Sequence, residues 1–281
     1  MNNILSVSNL GKSYSAFQLK DISFSLPEGY IMGLIGPNGS GKTTIVQLLL
    51  NMLQRDSGEI TIFGKDSIRH ETQVKQEIGV VFDSLCFVED WRVSLVETMV
   101  SGFYPRWDSA RYHSLLEQFG ISLNMKIKEL SRGTQMKLML AYALSFEARL
   151  LLLDEPTSGL DPLARSELLD ILQEYVENGQ RSVLFSTHIT TDLERVADYL
   201  TYIRSGDLVY SGRLDAFRES WRIVRGDINA LAGFPEQKIL GLRRSGGAFE
   251  GLIAAEDSAV FNGCILDMAS LDEIMIFCGR S

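Results

Sequence analysis

The sequence predicts an α/β fold: a mainly parallel sheet with helices on its faces, a helical insertion, and a small C-terminal α+β appendix. Three observations predict it. Short apolar runs at residues 30–35, 150–153 and 182–185 alternate with helical patterns, as parallel strands joined by crossover helices do. Strand signals vanish between about residues 84 and 148, where helical segments take over. Beyond about residue 220 a second group of strand-like runs begins.

Taken in order, residues 4–7 and 22–26 are strand-like, the second with Ile22, Phe24 and Leu26 alternating onto one face. The apolar run 30–35 ends in a glycine-rich stretch, and residues 45–53 after it are apolar enough for a buried helix. Residues 58–63 and 78–82 are further strands, each bounded by glycine or a charged turn. Inside the insertion, 95–100 and 111–119 read as helices. The fully apolar 150–153, ending at Asp154-Glu155, has the pattern of a central parallel strand. Residues 162–178 form the next helix, with Leu168, Ile171, Leu172, Tyr175 and Val176 on one stripe. Pro162 suits its first turn and Gly179 its stop. The strand at 182–185 leads to Ser186-Thr187-His188. In the appendix, 221–224, 238–242 and 249–254 read as strands and 271–277 as a helix, so the expected division is 1–220 and 221–281.

Composition narrows the function classes. The 281 residues suit one large domain or two modest ones, and 45% hydrophobic with 22% charged residues describes an ordinary folded chain. Lysine plus arginine is 27 against 36 for aspartate plus glutamate, a net charge of −9. That balance argues against a general nucleic-acid binder, which needs cations to displace counterions, and against a polybasic lipid-binding face. Cys86, Cys264 and Cys278 form no CxxC pair, which points to a reducing, cytoplasmic setting. The N-terminus has no signal-peptide pattern. The longest oily stretches fall short of the roughly 18–20 residues a span needs, so a membrane role requires a partner.

The strongest local signal is Gly36-Pro37-Asn38-Gly39-Ser40-Gly41-Lys42-Thr43, which fits GxxxxGK[ST] between a strand and a helix, a P-loop. Gly39 and Gly41 let the backbone turn so that successive N–H groups face a phosphate, helped by the helix N-terminus. Lys42 brings a point charge to the β- and γ-phosphates, and the Thr43 hydroxyl is suited to Mg²⁺. Chance produces this pattern in roughly one per cent of chains this long, less often in strand–helix context. Asp154, at the C-terminal end of a buried strand beside that loop, is suited to hold Mg²⁺ through water. Glu155 is placed to polarise an attacking water. Leu130-Ser131-Arg132-Gly133-Thr134-Gln135 opens a helix capped by Ser131, which by itself fits an anion site or a simple capped helix.

The order of P-loop, LSRGT, LLLLDEPTSGLDP and FSTH resembles the nucleotide-binding subunit of an ABC transporter over roughly residues 3–215. The resemblance implies a P-loop NTPase core with an antiparallel β subdomain, and a function of binding and hydrolysing ATP to drive separate membrane subunits. It implies that Tyr14 stacks on adenine, the alternative being a tyrosine packed in the core. Gly36 through Thr44 match the Walker A motif, including Thr44, and Asp154 with Glu155 match the Walker B aspartate and catalytic glutamate. Ser158-Gly159-Leu160-Asp161 match the D-loop, which passes between two nucleotide sites, and His188 matches the switch histidine at the γ-phosphate. Ser131, Arg132, Gly133 and Thr134 match the signature that meets the partner subunit's nucleotide. Lys42, Glu155 and His188 are thus the expected catalytic set.

Two motifs depart from the family, at three positions. Its signature is usually LSGGQ, and here the third and fifth positions are Arg132 and Thr134. The Q-loop glutamine after the 78–82 strand is replaced by Asp83, which can still reach the metal through oxygen but adds negative charge beside Asp154 and Glu155. The aromatic segment 87–104 matches the region where the family receives a cytoplasmic helix of the membrane subunit; its side chains fit equally the core of the insertion. Trp107, His70 and His113 have no recognisable partners in the sequence and are read as structural, as are the cysteines.

The expectation is therefore an ATPase subunit that forms a homodimer or heterodimer around two ATP molecules with Mg²⁺. It would sit peripherally on the cytoplasmic face of the cell membrane, touch the membrane only through separate transmembrane permease subunits, and bind no nucleic acid. The altered signature and Q-loop favour a bacterial exporter over an importer. Alternatives are a soluble ABC-type ATPase and an ATP-dependent switch uncoupled from transport.

Overall fold

The structure is a computed structural model and describes residues 2–279. The chain divides into two compact units, Met1–His188 with Val196–Ser211, and Ile189–Arg195 with Gly212–Ser281.

In the first stretch, β1 (Asn3–Ser13), β2 (Gln18–Pro27) and β3 (Ile31–Ile35) precede α1 (Lys42–Leu49). Then come β4 (Ser57–Ile62), β5 (Lys65–Asp66), α2 (Glu71–Lys75) and β6 (Ile78–Val81). The insertion holds α3 (Val93–Val100), α4 (Ser109–Gln118) and α5 (Arg132–Ala143). The chain continues as β7 (Leu150–Asp154), α6 (Pro162–Val176), β8 (Ser182–Thr187), α7 (Thr190–Val196), β9 (Tyr199–Arg204) and β10 (Asp207–Arg213).

These strands form one ten-stranded sheet in the order β5-β4-β1-β2-β10-β9-β3-β8-β7-β6. From β9 through β3, β8 and β7 to β6 the pairings are parallel, whereas β2, β1, β4 and β5 pair antiparallel. A parallel bridge between Lys20 and Asp207 joins β2 to β10, so the antiparallel part extends the parallel sheet. The sequence explains the difference. IMGLI in β3 and LLLLD in β7 are buried at every residue, as strands covered on both faces must be. β2 instead alternates between buried and open positions around Ile22, Phe24 and Leu26.

α1 lies on that sheet with Ile45, Val46, Leu48 and Leu49 buried against a cluster that includes Met32, Leu34, Leu150, Leu152 and Leu184. Each such side chain stabilises by roughly 1.5–3 kcal/mol. The helix begins at Lys42, inside the glycine-rich stretch, and ends at Leu49, earlier than its apolar run suggests; Asn51 takes a left-handed backbone (φ 52°). Its amide donates to the Ser67 carbonyl, fixing the exit.

The insertion has a core of its own around Val93, Val96, Tyr112, Leu115, Leu116 and Leu138. Trp107 and His113, which have no recognisable partner in the sequence, share one here. Glu97 of α3 accepts from Trp107 Nε1 at 3.0 Å and from His113 Nε2 at 2.8 Å. Spacings of ten and sixteen residues match no helical period, which hides the pairing from sequence.

In the second unit α8 (Leu214–Glu219) precedes β11 (Trp221–Asp227), β12 (Leu240–Ser245), β13 (Ala248–Ala254), β14 (Ile265–Met268) and α9 (Leu271–Cys278). The four strands pair antiparallel in the order β12-β13-β11-β14, around Val224, Phe249, Ile253 and Phe261. Ser270 starts α9 through a capping box with Glu273. Residues 189–195 belong here: Glu194 of α7 accepts from Leu271 N at 2.8 Å and pairs with Arg218 at 3.6 Å.

Candidate functional site

The glycine-rich stretch folds as a loop between β3 and α1, and three glycines are needed for steric reasons. A Cβ at Gly36 would stand 2.1 Å from the Ile203 carbonyl oxygen. Gly39 (φ 78°) and Gly41 (φ 110°) occupy the left-handed region open to glycine. The loop delivers the first turn of α1, whose N–H groups have no partners within the helix, to the C-terminal edge of the parallel sheet. Lys42 is buried; its Nζ donates to Gly36 O at 2.8 Å and lies 3.3 Å from Glu155 Oε1.

The register of β7 with β8 sets Asp154 opposite Ser186. Asp154 is buried and accepts a hydrogen bond from Ser186 Oγ. The next residue, Glu155, donates its N–H to Ser186 O and Oγ, each at 3.1 Å. Glu155 has φ 50°, a conformation costing a non-glycine residue about 1–3 kcal/mol, held by these bonds. Its Oε2 accepts from His188 Nδ1 at 2.8 Å. Lys42, Glu155 and His188 therefore form a continuous chain of contacts.

A cleft of about 730 Å³ opens over this chain. Its walls are Tyr14, Ala16 and Phe17, the loop and α1 residues Asn38, Gly39, Gly41, Lys42, Thr43 and Thr44, and Asp83, Glu155, Ser158 and His188. Tyr14 is 45% exposed at this cleft, which rules out a core role; its ring lies 6.5 Å from Phe17, and Lys12 Nζ sits 5.7 Å from it. Gly36, Pro37 and Ser40 are not in the wall but form the loop's turn; Ser40 is buried and its Oγ has no hydrogen-bond partner among the described residues.

The remaining expected residues lie elsewhere in the same unit. Ser131 caps α5, accepting from Thr134 N at 3.2 Å, and its hydroxyl is 2.8 Å from the Thr134 hydroxyl. Gly133 lies near Ala164 and Leu160. Asp161 caps α6, accepting from Leu163 N and Ala164 N at 3.0 Å. Arg132 pairs with Asp83. None of Ser131, Arg132, Gly133, Thr134 or Asp161 lines the cleft.

Sequence reasoning missed Ala16, Phe17 and Ser186. The first two belong to no motif. Ser186 carried a signal, its place at the end of a strand two residues before His188, but its hold on Asp154 depends on strand register.

For a metal, the Thr43 hydroxyl and the Asp154 carboxylate offer hard oxygen donors, with the Asp83 carboxylate in the cleft wall. This donor set fits Mg²⁺, which takes one or two carboxylates and completes its shell with phosphate oxygens and water. Among the described residues no group of three or more His, Cys, Asp or Glu side chains forms a cage of protein ligands.

A buried strand, a glycine loop, a lysine at the start of a helix and an acid-tipped neighbouring strand define a P-loop nucleotide-binding protein. The family described as ABC transporter matches residues 19–158. The ABC transporter ATP-binding protein NatA of Bacillus subtilis (strain 168) is 31% identical over 211 residues, 73% of this chain and 85% of the relative. The Nod factor export ATP-binding protein I of Rhizobium johnstonii is 33% identical over 248 residues, 85% of this chain and 78% of the relative. Among solved structures, cbiO1 from Clostridium perfringens, part of the ABC transporter complex cbiONQ, is 26% identical with a TM-score of 0.63, covering 77% of this chain and 91% of that one. The chain belongs to the ABC transporter family as an ATP-binding subunit. It binds and hydrolyses ATP and so powers transport.

Proposed function

We propose that this subunit dimerises head-to-tail around two ATP molecules, each held between the cleft of one copy and the 131–134 segment of the other. One observation carries the reading: the cleft gathers Lys42, Thr43, Glu155 and His188, while Ser131, Gly133 and Thr134 stand at the start of α5 outside the wall of their own cleft. Glu155 and His188 are both present, so a homodimer has two competent sites; a heterodimer uses the same geometry.

In each site Tyr14 stacks on adenine, the N–H groups from Gly36 to Thr44 cradle the phosphates, and Lys42 sets its charge against the β- and γ-phosphates. Thr43 and Asp154, with Asp83 nearby, would hold Mg²⁺, which when bound supplies positive charge to the phosphate oxygens. Glu155 orients and deprotonates the attacking water. The water oxygen bonds to the γ-phosphorus as the bond to the bridging oxygen breaks, giving ADP and phosphate. His188, hydrogen-bonded to Glu155, orients that carboxylate and meets the γ-phosphate. Asp161 belongs to the turn that runs between the two sites.

The power stroke passes to separate transmembrane permease subunits. α3 and the turn that follows it support this reading: Leu95 and Met99 of α3, and Phe103 three residues beyond its end, are exposed at four-residue spacing, apolar side chains suited to a cytoplasmic helix of a permease. Phe87, Trp91 and Tyr104 instead pack toward the insertion, with Val96 in its core. Among the described residues no helix is long and apolar enough to cross a membrane. As a subunit that acts through a permease, it sits peripherally on the cytoplasmic face of the membrane, and its net charge of −9 disfavours nucleic acid. Likeness to the Nod factor export protein favours export. Residues 1–220 act as the ATPase domain and 221–281 as an accessory domain, with residues 189–195 and 212–220 grouping with the latter in the compact second unit.

The test is affinity purification of tagged Glu155→Gln protein from detergent-solubilised native cells with and without ATP, alongside its mass in solution. Co-elution of a polytopic membrane protein and an ATP-dependent dimer are expected. A monomer at saturating ATP, or only ribosomal or DNA-bound partners, refutes the reading.

A further inference from the structure

Two of the three positions at which this chain departs from its family, one in each altered motif, touch each other. Arg132 Nη2 lies 2.5 Å from Asp83 Oδ1, across 49 residues of sequence. Arg132 is the first residue of α5 and so belongs to the helical insertion. Asp83 stands in the wall of the nucleotide cleft with Thr43, Glu155 and His188. The same guanidinium lies against Gly159: a Cβ built there would come within 3.2 Å of Arg132 Cζ and Nε. One side chain thus bridges the start of α5, a cleft carboxylate and the turn that follows Glu155.

The electrostatics give the contact a consequence. The cleft region holds three carboxylates, Asp83, Asp154 and Glu155, and Lys42 already lies against Glu155. A nucleotide adds phosphate charge of the same sign, so an uncompensated carboxylate at position 83 would oppose it. We propose that Arg132 is a positioning residue for nucleotide binding, which holds Asp83 and offsets its charge so that the cleft accepts nucleotide with an aspartate in its wall. The pair also ties the first turn of α5 to that wall. This rests on the cleft being the ATP site. Both side chains are about half exposed, 52% and 53%, so the effect belongs to the modest range of solvent-exposed ion pairs.

The test is metal-free ADP binding by the full-length protein in chelator at low ionic strength, since ADP lacks the γ-phosphate and omitting the metal removes any role of Asp83 as a ligand. Arg132→Gln is expected to weaken binding roughly two- to fivefold, the range of an exposed pair, and Arg132→Lys to keep most of the affinity. In an Asp83→Asn background Arg132→Gln should weaken binding by a smaller factor, since the guanidinium then has no cleft carboxylate to hold. The loss should also fade near about 1 M salt, where charges are screened beyond roughly 3 Å; a merely structural defect would persist. Asp83→Asn alone, which leaves the insertion untouched, is expected to bind ADP at least as tightly as wild type.

No loss in Arg132→Gln, an equal loss in both backgrounds, a loss indifferent to salt, or weakened binding in Asp83→Asn would each overturn the proposal. Failure of the wild type to bind ADP would instead remove the cleft assignment beneath it.

Discussion

Glu155 has each of its oxygens committed, one toward Lys42 at 3.3 Å and the other to His188 at 2.8 Å. Glu155→Gln keeps the side chain's size and the strained backbone but loses the base. Steady-state phosphate release should fall at least about 100-fold, the lower end of general-base catalysis, while ATP affinity measured by equilibrium titration stays within a few-fold. Wild-type turnover in that variant would remove Glu155 from the chemistry. Lys42→Ala should instead abolish tight ATP binding, and unchanged binding would refute the P-loop assignment. A pH effect belongs to Glu97. Burial raises its carboxyl pKa, but hydrogen bonds from Ser109, His113 and Trp107 outweigh this and hold it below the usual 4.5. A carboxylate so depressed contributes stability above its unfolded pKa and loses it as pH falls through the folded value. Thermal melts should therefore show an acid-side loss of stability below about pH 4.5 that is shallower in Glu97→Gln; identical limbs would assign the loss elsewhere. At this scale the sequence revealed residues whose spacing is itself the chemistry, as from Gly36 to Thr44. It did not reveal Ser186 on Asp154, Glu97 between Trp107 and His113, or Arg132 on Asp83, because those pairings exist only once strands and insertion are in register.

Among the elements, the loop between β3 and α1 distinguishes two reasons for glycine. At Gly36 the backbone is ordinary but an added Cβ would meet the Ile203 carbonyl oxygen of β9 at 2.1 Å, and a strand's backbone gives way poorly. At Gly39 there is open space, and only φ 78° resists a side chain. Gly39→Ala should cost about 1–2 kcal/mol, the left-handed penalty. Gly36→Ala should cost more, about 2–3 kcal/mol from overpacking, because β9 must move. Urea titrations of both variants check the order, and a reversed order would show that β9 yields easily. The same contrast governs legibility. β3, β7 and β8 are continuous apolar runs buried on both faces and could be read directly. β10, DLVYSGR, is only partly buried and lacks clean alternation, and α7 is short and polar, so residues 190–196 and 207–213 gave no element signal; β9, YLTYIR, is buried at its four central residues and is the one strand of this stretch that its own residues could have revealed.

For the whole molecule, the division of the chain crosses the catalytic site's own connection. His188 is the last residue of its segment in the first unit, and the next residues, 189–195, belong to the second. There Glu194 holds Leu271 N and Arg218. A cut after Ser220, which the sequence suggests as a domain boundary, leaves Arg218 but removes Leu271. The segment directly after His188 then loses the hydrogen bond from Leu271 N to Glu194, a bond to a charged group worth about 1.5–3 kcal/mol at most and less where solvent reaches it. The glycine loop, Lys42 and Asp154 lie wholly in the first unit. Truncation after Ser220 should therefore leave the ATP dissociation constant within about twofold of the full chain, a shift under 0.5 kcal/mol, while lowering turnover through a less fixed His188. Glu194→Gln in the full-length chain should lower turnover in the same direction by a smaller factor. Turnover unchanged in both variants would mean that the Glu194 contacts do not position His188 and that residues 221–281 have no part in hydrolysis. Turnover lost only on truncation would move the effect to another part of residues 221–281.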